Sequence, residues 1–280
     1  EPARHPRRAV MADLARLSLN TATVRERWDL AACIEGCARH GIGWIGPWRD
    51  GLAAYGVART AAHVRDAGLK VSGLCRGGWW NAGTLAQAID DNRRAIDEAA
   101  AIGALCLAIV NGGLPEGSRD LAAARARCLD GLAEVLPHAR AAGVPLALEP
   151  LHPMTCADRS VLSTTAQALD WCDTLGEGVG LALDVYHIWW DPEVLPQIAR
   201  AAGRILGFHV CDWLVPTRDL VTDRGMMGDG VADIADLRAA VDAAGYGGPI
   251  EVEIFSSRDW WTRDPDDVLT VMKERFARCV

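Results

Sequence analysis

Short apolar runs alternate with Ala-rich amphipathic stretches along the whole chain, and glycine marks the junctions. The pattern reads CARHG–IGWIGP, VRDAG–LKVSGLC, AAAIG–ALCLAIVN, ARAAG–VPLALEP, DTLGEG–VGLALDV, ARAAG–RILGFHV and VDAAGYGG–PIEVEIF. A glycine just past the last helical turn fits a left-handed C-cap. The runs after it, rich in Leu, Ile, Val and Ala, predict parallel strands buried on both faces. LSLNTA near residues 17–22 supplies an earlier strand, which makes eight strand–helix units. Eight alternating units in a chain of this length predict a closed α/β fold, a (β/α)8 TIM barrel, rather than an open doubly wound sheet. No G-x-x-x-x-G-K-[ST] turn is present, and no nucleotide cofactor is expected. The expected organisation is an N-terminal extension over 1–16 and a single barrel domain over 17–280.

Composition narrows the class of partner. Half of the 280 residues are apolar, enough for a substantial core, and the formal net charge is −8. That balance argues against a broad surface for nucleic acid or anionic membrane. The basic cluster Arg4, His5, Arg7 and Arg8 reads as a solvated terminus. No run of 18 or more apolar residues appears, and no apolar segment follows the first arginines, so neither a membrane span nor a signal peptide is expected. Nine cysteines without a C-x-x-C pair fit reduced thiols and a cytoplasmic location. Cys33 and Cys37, four apart on a helical stretch, read as packing residues.

The chemistry sits at strand ends. Glu149 closes LALEP, Asp184 closes the apolar part of LALDVYH, His209 lies in GFHVCD and Glu253 in EVEIF. An ionisable group at the end of a buried strand is costly unless its charge is used. Four of them on four strands suggest one shared cation. Strand alternation puts Ile250, Val252 and Ile254 on the helix side and Glu251, Glu253 and Phe255 on the barrel side, with Glu253 nearer the carboxyl end and preferred as the ligand. Ala147 shares a face with Glu149, and Ala182 with Asp184; small residues below each acid leave it room. Structural readings stand beside these: ion pairs for Glu149 and Glu253, a helix N-cap for Asp184, a satisfied core imidazole for His209, packing for His187. His63 and His138, on helical patterns, read as peripheral.

The set formed by Glu149, Asp184 with His187 three residues on, His209 and Glu253 resembles the metal-binding pattern of the xylose isomerase-like sugar isomerase/epimerase barrels, and the likeness runs from LSLNTA to EVEIFS. The resemblance implies that Glu149, Asp184, His209 and Glu253 bind one divalent metal, Mn2+ above Co2+ or Mg2+, a choice that three carboxylates and an imidazole suit. It implies that His187 contacts substrate oxygens. It also implies an arginine soon after the strand-seven histidine, for which Arg218, nine residues on, is the nearest candidate. GMMGDG resembles the Gly-rich turn before the last helix, with Asp229 at its acidic position. A homo-oligomer or a small partner subunit stays open.

A metal chelated by two neighbouring substrate oxygens acidifies the adjacent C–H and stabilises an enediolate, and Glu149 and Glu253 would serve as base and acid. The expected function is a metal-dependent sugar isomerase or epimerase. Alternatives are a lyase of the same superfamily acting on an oxidised sugar (an inosose dehydratase or a 3-keto-glycoside deglycosylating type), a non-catalytic sugar-binding protein, and an endonuclease IV-like phosphodiesterase. Eleven tryptophans add a clue. Trp44, Trp48, Trp79, Trp80, Trp189, Trp190, Trp213, Trp260 and Trp261 follow expected strands; loop packing and the core rim account for more than half of them, and the set still suggests an aromatic mouth for a carbohydrate or aryl-carbohydrate, with Trp48, Trp79 and Trp213 as contacts. His152, three residues after Glu149, is either a supporting group or a loop hydrogen-bonder. The loops Asn111-Gly112-Gly113 and Arg76-Gly77-Gly78 could cradle an anion, but neither is a recognisable phosphate motif.

Overall fold

A computed structural model describes residues 14–280; the Arg4–Arg8 cluster and all but Leu14–Arg16 of the expected extension lie outside that range. The strands are β1 (Leu17–Asn20), β2 (Trp44–Gly46), β3 (Lys70–Val71), β4 (Leu74–Gly78), β5 (Leu107–Val110), β6 (Leu146–Leu148), β7 (Val179–Asp184), β8 (Ile205–Val210), β9 (Asp212–Trp213), β10 (Arg224–Gly225) and β11 (Ile250–Val252). Nine of them form one sheet in the order β3-β2-β1-β11-β8-β7-β6-β5-β4, and every pairing in it is parallel. β9 and β10 make a separate antiparallel ribbon above the barrel.

The sheet has nine strands where the pattern predicts eight because LKVSGLC breaks at Ser72-Gly73. β3 pairs with β2 and β4 with β5, so the two pieces occupy one stave of a near-closed barrel. The break is bridged: the Ser72 N–H reaches the Ile45 carbonyl at 3.0 Å, and the Leu74 N–H reaches the Cys106 carbonyl at 3.0 Å. Gly73 faces the interior carboxylate of Glu251, and a Cβ there would lie 3.3 Å from its Oε1.

Helices cover the outside of the sheet. Their ends follow the sequence signals: Asp29, Thr84, Asp120, Thr164 and Asp264 cap amino ends through their side chains, and Gly41 and Gly143, both at φ 68, close carboxyl ends. Leu146, Leu148, Leu181 and Leu183 belong to the main core between sheet and helices, whereas Ala147, Ala182 and Cys106 form a small interior cluster. That division is the period-two alternation expected of strands with two different buried faces. Cys33 and Cys37 pack in the core, and all nine thiols are free. No helix among the described residues is long and apolar enough to cross a membrane.

Candidate metal centre

Four successive staves, β11-β8-β7-β6, carry the cluster. Glu149 directly follows β6, Asp184 ends β7, His209 lies in β8 and Glu253 directly follows β11. One ligand atom from each falls within 4.8 Å of all the others, and all four side chains are buried. Small interior residues make this possible, since Ala147 and Ala182 sit two positions below Glu149 and Asp184 and are themselves buried.

The electrostatics are unbalanced. Four carboxylates, Glu149, Asp184, Glu251 and Glu253, are buried around His209 and Arg224. Burial first, then the Glu253 charge, pushes the Glu149 carboxyl up to about 8. Burial alone would depress His209, but Glu251, Glu253 and Glu149 outweigh it and raise the imidazole to about 9. Its ring spans two carboxylates: Nδ1 is 3.8 Å from Glu149 Oε1 and Nε2 is 3.8 Å from Glu251 Oε2. Nδ1 is buried without a hydrogen-bond partner. A buried imidazole nitrogen left without a partner, turned toward oxygen donors, fits a cation ligand, and Glu251 on the far side suits the carboxylate that orients a ligating histidine. The donor set therefore fits a divalent cation. Glu251, one layer deeper on the same strand face, is anchored to β1, accepting from Asn20 Nδ2 at 2.9 Å.

Asp184 combines two readings. Its Oδ1 caps the short helix Val185–Ile188 by accepting the Tyr186 N–H at 2.9 Å, while Oδ2 accepts from Arg224 at 2.8 Å. The expected arginine is a correction. Arg218 is 42% exposed and forks onto Asp223, away from the cluster. The arginine within the cluster is Arg224, on β10, whose Nη1 also lies 3.0 Å from Glu253 Oε2. Its guanidinium is sandwiched between the rings of Tyr186 at 4.4 Å and Phe255 at 4.9 Å. Arg224 was missed because nothing local distinguishes it. Its position depends on the 214–232 excursion, which Asp212 ties down by accepting the Gly228 N–H at 2.9 Å and the Ala232 N–H at 3.0 Å. Buried Asp212, two residues past β8, was the available signal. Asp229 turns to Arg275 at 3.1 Å rather than to the cluster.

His187 lies against the cluster, with Nε2 3.7 Å from Asp184 Oδ2. Its Nδ1 accepts the backbone N–H of His152 at 3.1 Å, which puts the neutral ring's proton on Nε2. Burial holds His187 down to about 3, so it stays neutral. The His152 side chain accepts the Met154 N–H at 3.2 Å and stacks on Trp213 at 4.8 Å, so it supports the loop and the aromatic wall.

Only part of the tryptophan set lines the mouth, and the rest packs. Trp48 hydrogen-bonds Asn20 Oδ1 at 2.9 Å and packs edge-on against Phe255, which also meets Trp261. Trp213 packs with the rings of His152, Tyr186 and Trp189. Trp79 lies under Arg76, 4.4 Å from its guanidinium. Trp44 is a correction: it opens β2 rather than following it and hydrogen-bonds the Ala15 carbonyl. Trp80 follows β4 and takes the packing reading: it is fully buried, where a Cβ on Gly131 would touch it at 2.4 Å. Trp260 is buried beneath Arg263. His63 pairs with Tyr55 and His138 with Asp97, both away from the cluster.

A family described as "Xylose isomerase-like TIM barrel" matches residues 34–275 of the chain. A crystal structure of a protein from Sinorhizobium meliloti 1021 is 55% identical, with a TM-score of 0.94, over 95% of this chain and 99% of that one. The IolI protein, solved with a bound zinc atom, superposes with a TM-score of 0.80 at 21% identity over 93% of this chain and 96% of its own. A D-allulose 3-epimerase from Methylomonas sp. superposes at 0.76 and 21% identity over 92% of this chain and 96% of its own. At that identity both show the fold alone. An L-ribulose 3-epimerase of Mesorhizobium japonicum is 33% identical over 133 residues, which span 47% of this chain and 41% of the epimerase.

Proposed function

The chain belongs to the xylose isomerase-like TIM-barrel family, and from that premise we propose that it is a divalent-metal-dependent sugar isomerase or epimerase, working by proton transfer at a carbon next to a carbonyl. The observation that carries this reading is the convergence of Glu149, Asp184, His209 and Glu253 within 4.8 Å, with His209 Nδ1 left unpartnered among them. The partial likeness to a ketose 3-epimerase supports the substrate class, a small carbohydrate.

A divalent cation held by these four residues, Mn2+ in our reading, would polarise the substrate carbonyl and acidify the neighbouring C–H. Glu149 and Glu253 come from the two outer staves of the four, so they meet a bound carbon from different sides. One carboxylate removes the proton and the other returns it, to the same carbon in an epimerisation or to its neighbour in an isomerisation. His187 offers Nε2–H, and Arg224 a guanidinium, to substrate oxygens. Trp48 and Phe255 line the mouth, and a sugar that displaces water there strengthens each of those charge interactions. Arg224 replaces Arg218 in the substrate-contact role.

The test is deuterium wash-in. The full chain with Mn2+ is incubated with a panel of ketoses, inososes and 3-keto-glycosides in D2O and read by NMR. The expected result is deuterium at one carbon beside the carbonyl, with Glu149→Gln and Glu253→Gln each slowing exchange by at least about 100-fold. Release of an enone or an aglycone instead would move the assignment to the lyase alternative. Binding without exchange, unchanged in both variants, would make it a sugar-binding protein.

A further inference from the structure

The mouth above the cluster carries a charge that the tryptophan count alone does not suggest. Two adjoining cavities share Trp48, Cys75, Arg76, Arg159 and Phe255. The inner one has about 20 Å³ of free space beside Glu149, Glu253, His187 and Arg224, room for a water or a single ion. The outer one has about 440 Å³ and opens to solvent.

Arginines line both spaces, and most are already neutralised. Arg25 pairs with Asp50 at 2.5 Å. Arg49 pairs with Asp91 at 2.9 Å and Glu98 at 2.6 Å. Arg224 pairs with Asp184 and Glu253. Arg76 and Arg159 differ: among the described residues neither side chain has an ion pair or a hydrogen bond, and Arg76 Nε is buried without a partner. Burial, then the charge of Arg159, depresses Arg76 to about 10; burial, then Arg224, depresses Arg159. Glu149 attracts both from a distance, but it is committed to the cluster below. A guanidinium does not shed its proton near neutral pH, so two such groups crowded together lower their energy by gathering an anion. Arg76 is held for that task by Trp79, whose ring it stacks on and whose backbone adopts φ 56.

We propose that Arg76 and Arg159 form an anion subsite, so that the sugar taken by this site is an acidic ketose bearing a carboxylate or a phosphate monoester beyond its reacting carbons. The inference rests on the sugar isomerase reading for the word ketose, and on the two unpaired guanidiniums for the word acidic. The aromatic walls then hold the sugar's C–H faces while the arginine pair holds its charged end.

Calorimetry on the full chain with Mn2+ tests this with matched ligands: D-fructose and D-tagatose, their 6-phosphates and their 6-carboxylates. We expect the phosphate or the carboxylate to bind at least about tenfold tighter than the parent ketose, with the advantage shrinking as NaCl rises. Whichever acid gains identifies the group. Arg76→Met and Arg159→Met, checked for unchanged melting, should each remove most of the advantage while the neutral ketose loses no more than about twofold; Arg76→Lys should restore part of it. Neutral ketoses binding as well as both acids, or both Met variants weakening all ligands alike, would overturn the subsite. Arginine-dependent binding of the acid without deuterium wash-in would keep the subsite and remove the isomerase reading. Wash-in with no preference for the acids would do the reverse.

Discussion

Replacing Arg224 with Met tests the electrostatics of the cluster most directly. The guanidinium lies 2.8 Å from Asp184 and 3.0 Å from Glu253, and all three groups are buried. Met keeps an apolar stem between Tyr186 and Phe255, so packing changes little. Removing one partner of a buried ion pair leaves the other charge uncompensated, at a cost of about 3–5 kcal/mol. For a chain of this size each kcal/mol moves the melting temperature by roughly 2 °C, so the metal-free variant should melt about 6–10 °C lower. Part of the cost can be escaped by keeping Glu149 protonated: burial and the Glu253 charge raise its carboxyl to about 8, above its unfolded value, and Arg224 opposes that rise, so the stability the proton keeps is present at low pH and lost as pH rises. The deficit should therefore be larger at pH 8 than at pH 6. A divalent cation supplies the charge that the variant lacks. Metal at about 100 times its Kd stabilises any binder by about 2.7 kcal/mol, and the gain at a fixed Mn2+ concentration should be larger in Arg224→Met than in the parent, because the guanidinium and the cation share Asp184 and Glu253. Differential scanning calorimetry with EDTA and with Mn2+ at both pH values reads all four quantities. Equal metal-induced gains in the two proteins, or a metal-free variant melting within about 2 °C of the parent, would refute the reasoning.

Two further outcomes follow from the same geometry. Glu149, raised to about 8, and His209, raised to about 9, hold protons in the metal-free chain at neutral pH, so metal uptake must expel them. Calorimetry in buffers of different ionisation enthalpy should count one to two protons released near pH 7, falling toward none above about pH 9, with affinity rising across that window; an affinity flat from pH 6 to 8 would contradict the cluster. Asp212→Ala strands the Gly228 and Ala232 N–H groups and should cost roughly 2–4 kcal/mol, with faster proteolysis confined to 214–232 and, through a displaced Arg224, a larger Mn2+-induced gain as in Arg224→Met; unchanged cleavage of that segment would show that the loop holds without it.

What the sequence makes legible here has a physical order. The staves follow from period-two and glycine-stop patterns because each strand is buried on both faces and each helix ends on a short-range cap, both local effects. The barrel class, and the four residues that meet at its rim, need only one extra rule: a polar residue at the carboxyl end of such a strand points at the axis. The third stave escapes it, because its break at Ser72-Gly73 faces Glu251, more than 170 residues away in sequence. Arg224 escapes it for the same kind of reason. Whether an arginine in a loop reaches the cluster or, like Arg218, pairs with a neighbouring aspartate depends on how Asp212 folds back the chain between β9 and β10, and spacing to His209 carries no record of that path. The charge state of the mouth is less local still. Arg49 and Arg76 look alike in the sequence, and only the tertiary fold gives Asp91 and Glu98 to the first and, among the described residues, no carboxylate to the second. Chemistry fixed by strand geometry can be read in advance, then. Chemistry fixed by which charges are left over becomes visible once every other charge has found its partner, and that remainder is where substrate specificity is expected to lie.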